Sequence, residues 1–327
     1  MTAPDAADKT RLPRRKLVLA LAMLIGGGFT WGITFSLAKL VTEAGVHPFG
    51  LSWLNAALGA ALLLPYCLLR FGGIPLGRAY LRLYVIAGTL GTAFPSCILF
   101  LAAARVPAGV LAIITSMVPL FTYGFALMVR IERLEWRRLL GILLGFMAML
   151  LIVAPETSLP ERAMAAWVLI ALLAPLSYST ENVYIALRRP RASSSFALLC
   201  GMLLAGTALL TPLVWATDTW VPLWHPWTVI EWSMLLLILV NVMGYLVFLE
   251  LIVLAGPLFA AQTGYLVTAS GVFWGIIILA EEHSAWIWAA LAVIFAGVAL
   301  VNPRSAHDGR EQSAGKEDAG QGDGGPS

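Results

Sequence analysis

The chain has 327 residues, 60% of them hydrophobic and only 12% charged, with a net charge of +3. That balance excludes an ordinary soluble domain and reads as a polytopic membrane protein. So small a net charge also offers nucleic acid no basic surface.

A hydrocarbon core about 30 Å thick takes about 20 helical residues to cross. Laid along the chain, that ruler predicts an all-α protein with ten spans, at 17–41, 50–69, 83–104, 107–129, 138–154, 163–187, 195–217, 229–254, 257–280 and 284–302. The first span follows Arg14, Arg15 and Lys16, but its apolar run is too long for a signal peptide and lacks a small-residue cleavage site. Residues 1–13 and 304–327, rich in Ala, Asp, Gly, Ser and charge, cannot bury a core and read as disordered. They fall in expected tails at 1–16 and 304–327. Cys67, Cys97 and Cys200 lie in apolar runs, so they read as small hydrophobes rather than a disulfide framework or metal cluster.

With ten spans, all of the 21 lysines and arginines except Lys39, Arg105 and Arg162 fall on the side of the N-terminus. The positive-inside rule then places both termini in the cytoplasm, in a multi-pass protein of the cell (inner) membrane. A miscount by one span would flip every later loop and destroy the bias.

The chain also repeats itself. GAALLLP (Gly59 to Pro65) and GTALLTP (Gly206 to Pro212) share five of seven residues at an offset of 147, which also sets Trp31 opposite Tyr178. An offset of 148 pairs Phe100-Leu101 with Phe248-Leu249, Ala112 with Ala260 and Thr115 with Thr263. Two copies, at 17–155 and 163–303, each hold five spans, an odd number, so they must sit in opposite orientations. Such inverted repeats are recurrent in secondary transporters, with the substrate site near the midplane between the halves.

WGITFSLAKL in the first span, the proline of MVPLFTYG (Met117 to Gly124), RIERLEWRRLLGILLG (Arg130 to Gly145) and LAEEHSAWIWAALAVIFAGVALVNP (Leu279 to Pro303) resemble the EamA-type family of the drug/metabolite transporter superfamily. The resemblance covers residues 17–303 and implies a permease built as two five-helix repeats. It leaves the substrate open, because the family handles amino acids, amines and nucleotide sugars. One departure is Val267, where the first copy has Pro119.

Polar residues inside the spans are the site candidates. Glu181 stands about 9 Å inside the membrane, counted from Arg188 at 1.5 Å per residue, and intramembrane carboxyls are ion or proton sites by default. Tyr178 and Asn182 share its face. Asn241 and Tyr245, one turn apart, form a second polar stripe, whereas Glu250 lies on the opposite face. Gln262 and Tyr265 form a third. In the first span Trp31 and Phe35 share a face that a substrate could stack on. Lys39 lies within snorkelling reach of the outer interface and is also a substrate or counter-ion candidate. Gly26, Gly27, Gly28 and Gly32 read as close helix packing or as an unwound segment facing a cavity. Pro65 and Pro212, at matching places in the copies, read as paired hinges. Gly141 and Gly145 read as helix or subunit packing, which allows a homodimer.

Together these features predict a secondary-active permease, read as an exporter, for a small polar or amphipathic metabolite, with the lipid bilayer as its other partner. No phosphate-binding glycine loop, HExxH or G-x-S-x-G stands in the sequence, so neither a cofactor, a metal nor an enzymatic activity is expected. The competing readings are a scaffold or passive channel and, last, an integral-membrane enzyme.

Overall fold

The computed structural model describes residues 14–130, 134–153, 161–190, 194–224, 226–255 and 263–301. The expected tails, apart from residues 14–16, lie outside them. Among the described residues every regular element is helical: α1 (Arg14–Trp31), α2 (Ile33–Glu43), α3 (Pro48–Phe71), α4 (Arg78–Gly88), a π-helical turn (Thr89–Ala93), α5 (Phe94–Ala103), α6 (Ala108–Thr115), α7 (Val118–Met128), α8 (Trp136–Val153), α9 (Met164–Ala171), α10 (Leu173–Arg188), α11 (Ser195–Thr217), α12 (Val229–Ala255), α13 (Thr263–Leu279) and α14 (Ala285–Val301).

Among the described residues seven helical stretches are long and apolar enough to cross a membrane: Arg15–Glu43, Pro48–Phe71, Arg78–Ala103, Ala108–Met128, Met164–Arg188, Ser195–Thr217 and Val229–Leu251. Three shorter apolar helices, Leu139–Ile152, Leu266–Leu279 and Ala285–Gly297, complete the bundle.

Several stretches are interrupted, and the residues explain why. Between α1 and α2 the chain turns at Gly32, where the Thr34 hydroxyl donates to the Trp31 carbonyl at 2.7 Å. The π-helical turn ends two residues before Pro95, whose ring removes a backbone donor. Between α6 and α7 the Ser116 hydroxyl donates to the Ile113 carbonyl at 2.6 Å, and Pro119 sits in the first turn of α7, where no intrahelical donor is required. Its counterpart position, Val267, lies inside the unbroken α13. The predicted hinges are different again: α3 and α11 continue through Pro65 and Pro212, and both prolines are exposed.

The packing interlocks the two halves. The first stretch, α1 and α2, packs on α12 and α13 of the second half; its counterpart, α10, packs on the π-helical turn, α5 and α7 of the first. The pairs α3 with α11 and α8 with α14 each join matching spans, as two copies related by a twofold axis would. Cys67 and Cys200 lie buried in the same apolar cluster of the α3–α11 seam.

Glycines set how closely these seams approach. A Cβ on Gly28 would strike Leu266, and one on Gly32 would strike Ser270, the Val267 carbonyl and the Gly271 amide, so backbone meets backbone between the first stretch and α13. Gly27 is filled by Val247 of α12, whereas Gly26 faces open space. A Cβ on Gly297 would strike the Gly141 carbonyl across the α8–α14 seam, and one on Gly145 would strike Leu120 of α7. The motif of Gly141 and Gly145 therefore serves packing within the chain.

Candidate functional site

Glu181 stands on α10 with only 1% of its surface exposed. The Tyr245 hydroxyl, from α12, donates to its Oε1 at 2.7 Å. The opposite wall is Gly91 of the π-helical turn, where any Cβ would overlap the Glu181 carboxyl. Two serines fix the register of α10: Ser177 donates to the Leu90 carbonyl at 2.7 Å, and the Ser179 hydroxyl lies 2.9 Å from the Val118 carbonyl and 2.6 Å from that of Pro175. Tyr178, one turn before Glu181, is within electrostatic reach of Glu181 and of the Tyr245 hydroxyl.

One turn up α12, the Asn241 carbonyl oxygen accepts from the Trp31 indole N–H at 3.2 Å, and its amide nitrogen donates to Asn55 Oδ1 at 3.2 Å. The Trp31 ring meets Tyr245 edge-on at 6.3 Å and lies 6.4 Å from Phe248. One polar network thus draws on α1 and α3 of the first half and α12 of the second, and its Tyr245 end meets Glu181 on α10. Polar groups inside a bilayer find partners in other helices. Trp31 also walls a half-open cleft of about 320 Å³ between α1 and α12, lined by Gly26, Gly27, Thr30, Met243 and Gly244 among others.

The structure brings Trp31, Tyr178, Glu181, Asn241 and Tyr245 together. Asn182, the next residue of α10, is partly buried. Phe35, one turn after Trp31, packs into the main apolar core, which also holds Ala112. Gln262 lies outside the described residues, as does the Tyr265 side chain. Lys39 belongs elsewhere: its Nζ is 3.3 Å from Glu43 and 3.8 Å from Glu281. Glu250 lines a separate groove with Lys16.

Two members of the central cluster were not among the sequence candidates. Asn55 carried a readable signal, an amide within an apolar span. Gly91 carried none, because its value lies in which helix approaches it. Among the described residues no group of three His, Cys, Asp or Glu side chains is placed to hold a metal ion.

The EamA-like transporter family matches residues 18–154 and again residues 165–302. The chain belongs to the EamA-like transporter family. The two matches make this EamA-like protein a two-repeat, multi-pass membrane protein of transporter type. No curated protein matches it. Sixteen chains of solved structure match; one, described as "Crystal structure of protein", aligns with a TM-score of 0.56 and 20% identity over 87% of this chain and 97% of its own. That likeness speaks for the shared fold alone.

Proposed function

We propose that this EamA-like chain is a secondary-active transporter that moves a small polar or amphipathic metabolite by alternating access across ten membrane spans, both termini being cytoplasmic. The observation that carries this reading is the buried Glu181 carboxyl, held by Tyr245 of the same copy and packed against Gly91 of the other. A carboxyl inside a bilayer costs about 2.5–3.5 kcal/mol at the helix centre on insertion scales, and such residues mark ion, proton or substrate pathways. Around it, two side-chain amides, two phenols and an indole N–H supply donors and acceptors for a polar solute. The aromatic rings offer it apolar faces.

A thermal-shift screen of the purified protein against amino acids, amines, nucleosides and sugar phosphates identifies the solute, because a ligand that binds only the folded state raises its melting temperature. Saturable flux and counterflow of that solute in proteoliposomes are the expected results. Flux that never saturates is a channel's, and no flux for any ligand bound is a scaffold's.

Topology is tested separately. With the native cysteines buried, a cysteine at Leu76 reacts with a membrane-impermeant reagent only from the cytoplasmic side. One at Trp224 reacts only from outside. The reverse labelling of either breaks the ten-span arrangement. The paired prolines give a kinetic test: Pro65→Ala and Pro212→Ala slow transport and leave ligand affinity within about twofold, since neither touches the cluster, if each is a bend of the moving halves. Equal flux with equal affinity removes them from the mechanism.

A further inference from the structure

At the end of the bundle where residues 104–107 and 280–284 meet, three charged or titratable side chains are packed with little access to water. Glu281 Oε1 accepts from the Ala108 amide at 2.6 Å and its Oε2 from the Gly109 amide at 3.1 Å, so the carboxylate closes the first turn of α6. Lys39 Nζ lies 3.8 Å from Glu281 and donates to the Val106 carbonyl at 3.3 Å, with Glu43 at 3.3 Å on its other side. His283 Nε2 is 3.6 Å from Glu281, and its side chain is 2% exposed. Burial lowers the imidazole pKa below its ordinary value, with Glu281 pulling the other way, so at neutral pH Lys39 is the cation facing Glu281. The fit is close: a Cβ on Gly109 would strike His283, and one on Gly275 would strike Glu281.

These contacts join parts that belong to different halves. Lys39 is on the first stretch, Ala108 and Gly109 start α6, and Glu281 and His283 come from the loop between α13 and α14. We infer that Lys39, Glu281 and the first turn of α6 form a latch that holds this end of the bundle shut, and that its release opens the central cluster to this side. The inference rests on the proposed alternation. Opening here requires α2 and α6 to leave the 280–284 loop, which breaks the Lys39–Glu281 pair and both amide bonds. A buried pair separated without replacement partners is costly, and such a pair can hold one of two states.

Ser36 supplies a reporter. It lies one turn deeper than Lys39 on α2, is fully buried, and its hydroxyl has no hydrogen-bond partner, so Ser36→Cys exchanges one small atom. In otherwise native protein a membrane-impermeant thiol reagent added from the Lys39 end modifies this cysteine slowly. Adding Glu281→Gln, or Lys39→Met, which leaves the α6 amide bonds intact, raises the rate by about tenfold, the change in open fraction expected of a modest loss of bias. Peptide-level mass spectrometry reads Cys67 and Cys200 in the same sample. Their continued protection shows that the rise is an opening and not unfolding. Equal Ser36→Cys rates in the native and Lys39→Met backgrounds, with both proteins folded, overturn the latch. The readout is exposure and not flux: a chain that moves no solute can still pass it, and a working carrier can fail it.

Discussion

Glu181→Gln leaves the protein folded and removes coupled transport. The amide keeps an oxygen for the Tyr245 hydroxyl, so the 2.7 Å bond has a neutral replacement and the Gly91 wall still has a side chain of the same shape to pack on. What is lost is the charge. A hydrogen bond to a charged group is worth about 1.5–3 kcal/mol, so flux of the screened solute falls by about 10–100-fold in proteoliposomes, a factor of ten for each 1.4 kcal/mol. Any residual exchange is the same at pH 6 and pH 8, because the proton-accepting group of the cluster is gone. Unchanged flux with an unchanged pH profile refutes the role given to Glu181. Tyr245→Phe separates two parts of that role: it keeps the charge and removes the donor, so pH dependence remains while affinity weakens.

The second large effect is on stability. Gly32→Ala places a methyl against the Val267 carbonyl and the Gly271 amide, backbone atoms that cannot rotate away. The first stretch must lift off α13, and overpacking of this kind costs about 1–3 kcal/mol. Gly26→Ala, six residues earlier in the same glycine-rich run, meets nothing within 4 Å and gains about 0.5–1 kcal/mol of helix propensity. The expected result is a lower melting temperature and yield for Gly32→Ala, with Gly26→Ala equal to or above the native protein. If both behave alike, the glycine run is not the close seam described.

This pair also shows how far the sequence could be read. Four glycines within seven residues announce a close approach, and the four-residue spacing of Gly28 and Gly32 puts those two on one helix face. Which of them carries the contact depends on where α12 and α13, in the other half of the chain, lie. Glu181 was legible because a carboxyl inside an apolar span is costly wherever its partner is, and Tyr178 beside it marked a polar face. Asn241 and Tyr245 were legible by the same argument applied to α12. Joining the two stripes needed coordinates, since nothing in either says that a phenol on one points at the carboxyl of the other. Lys39 illustrates the limit. Its place near a span end and its i,i+4 pairing with Glu43 were readable, yet its distant partners, a glutamate 242 positions away and a carbonyl 67 positions away, left no trace in the local pattern. The helical class and the two-copy organisation needed no such information, because apolar run length and internal identity are properties of the chain alone.

The exchange of first stretches between the halves has a consequence for how the protein is made. Gly28 and Phe29 accept hydrogen bonds from Ser270 and Trp274, partners 242 and 245 residues further along the chain. At about 5–20 residues per second, translation delivers those partners some tens of seconds after the first helix enters the bilayer. Until then a glycine-rich helix with a tryptophan N–H and a lysine rests among lipids or against the insertion machinery, its best surface unmatched. Its apolar residues Leu17, Val18, Leu19, Leu21 and Ile25 remain exposed even in the finished bundle, and they are what keeps the early helix soluble in lipid while it waits. Topogenesis and assembly are thereby divided in time: the basic residues at 14–16 orient the helix at once, and the glycines find their seam only when the nascent chain is nearly complete.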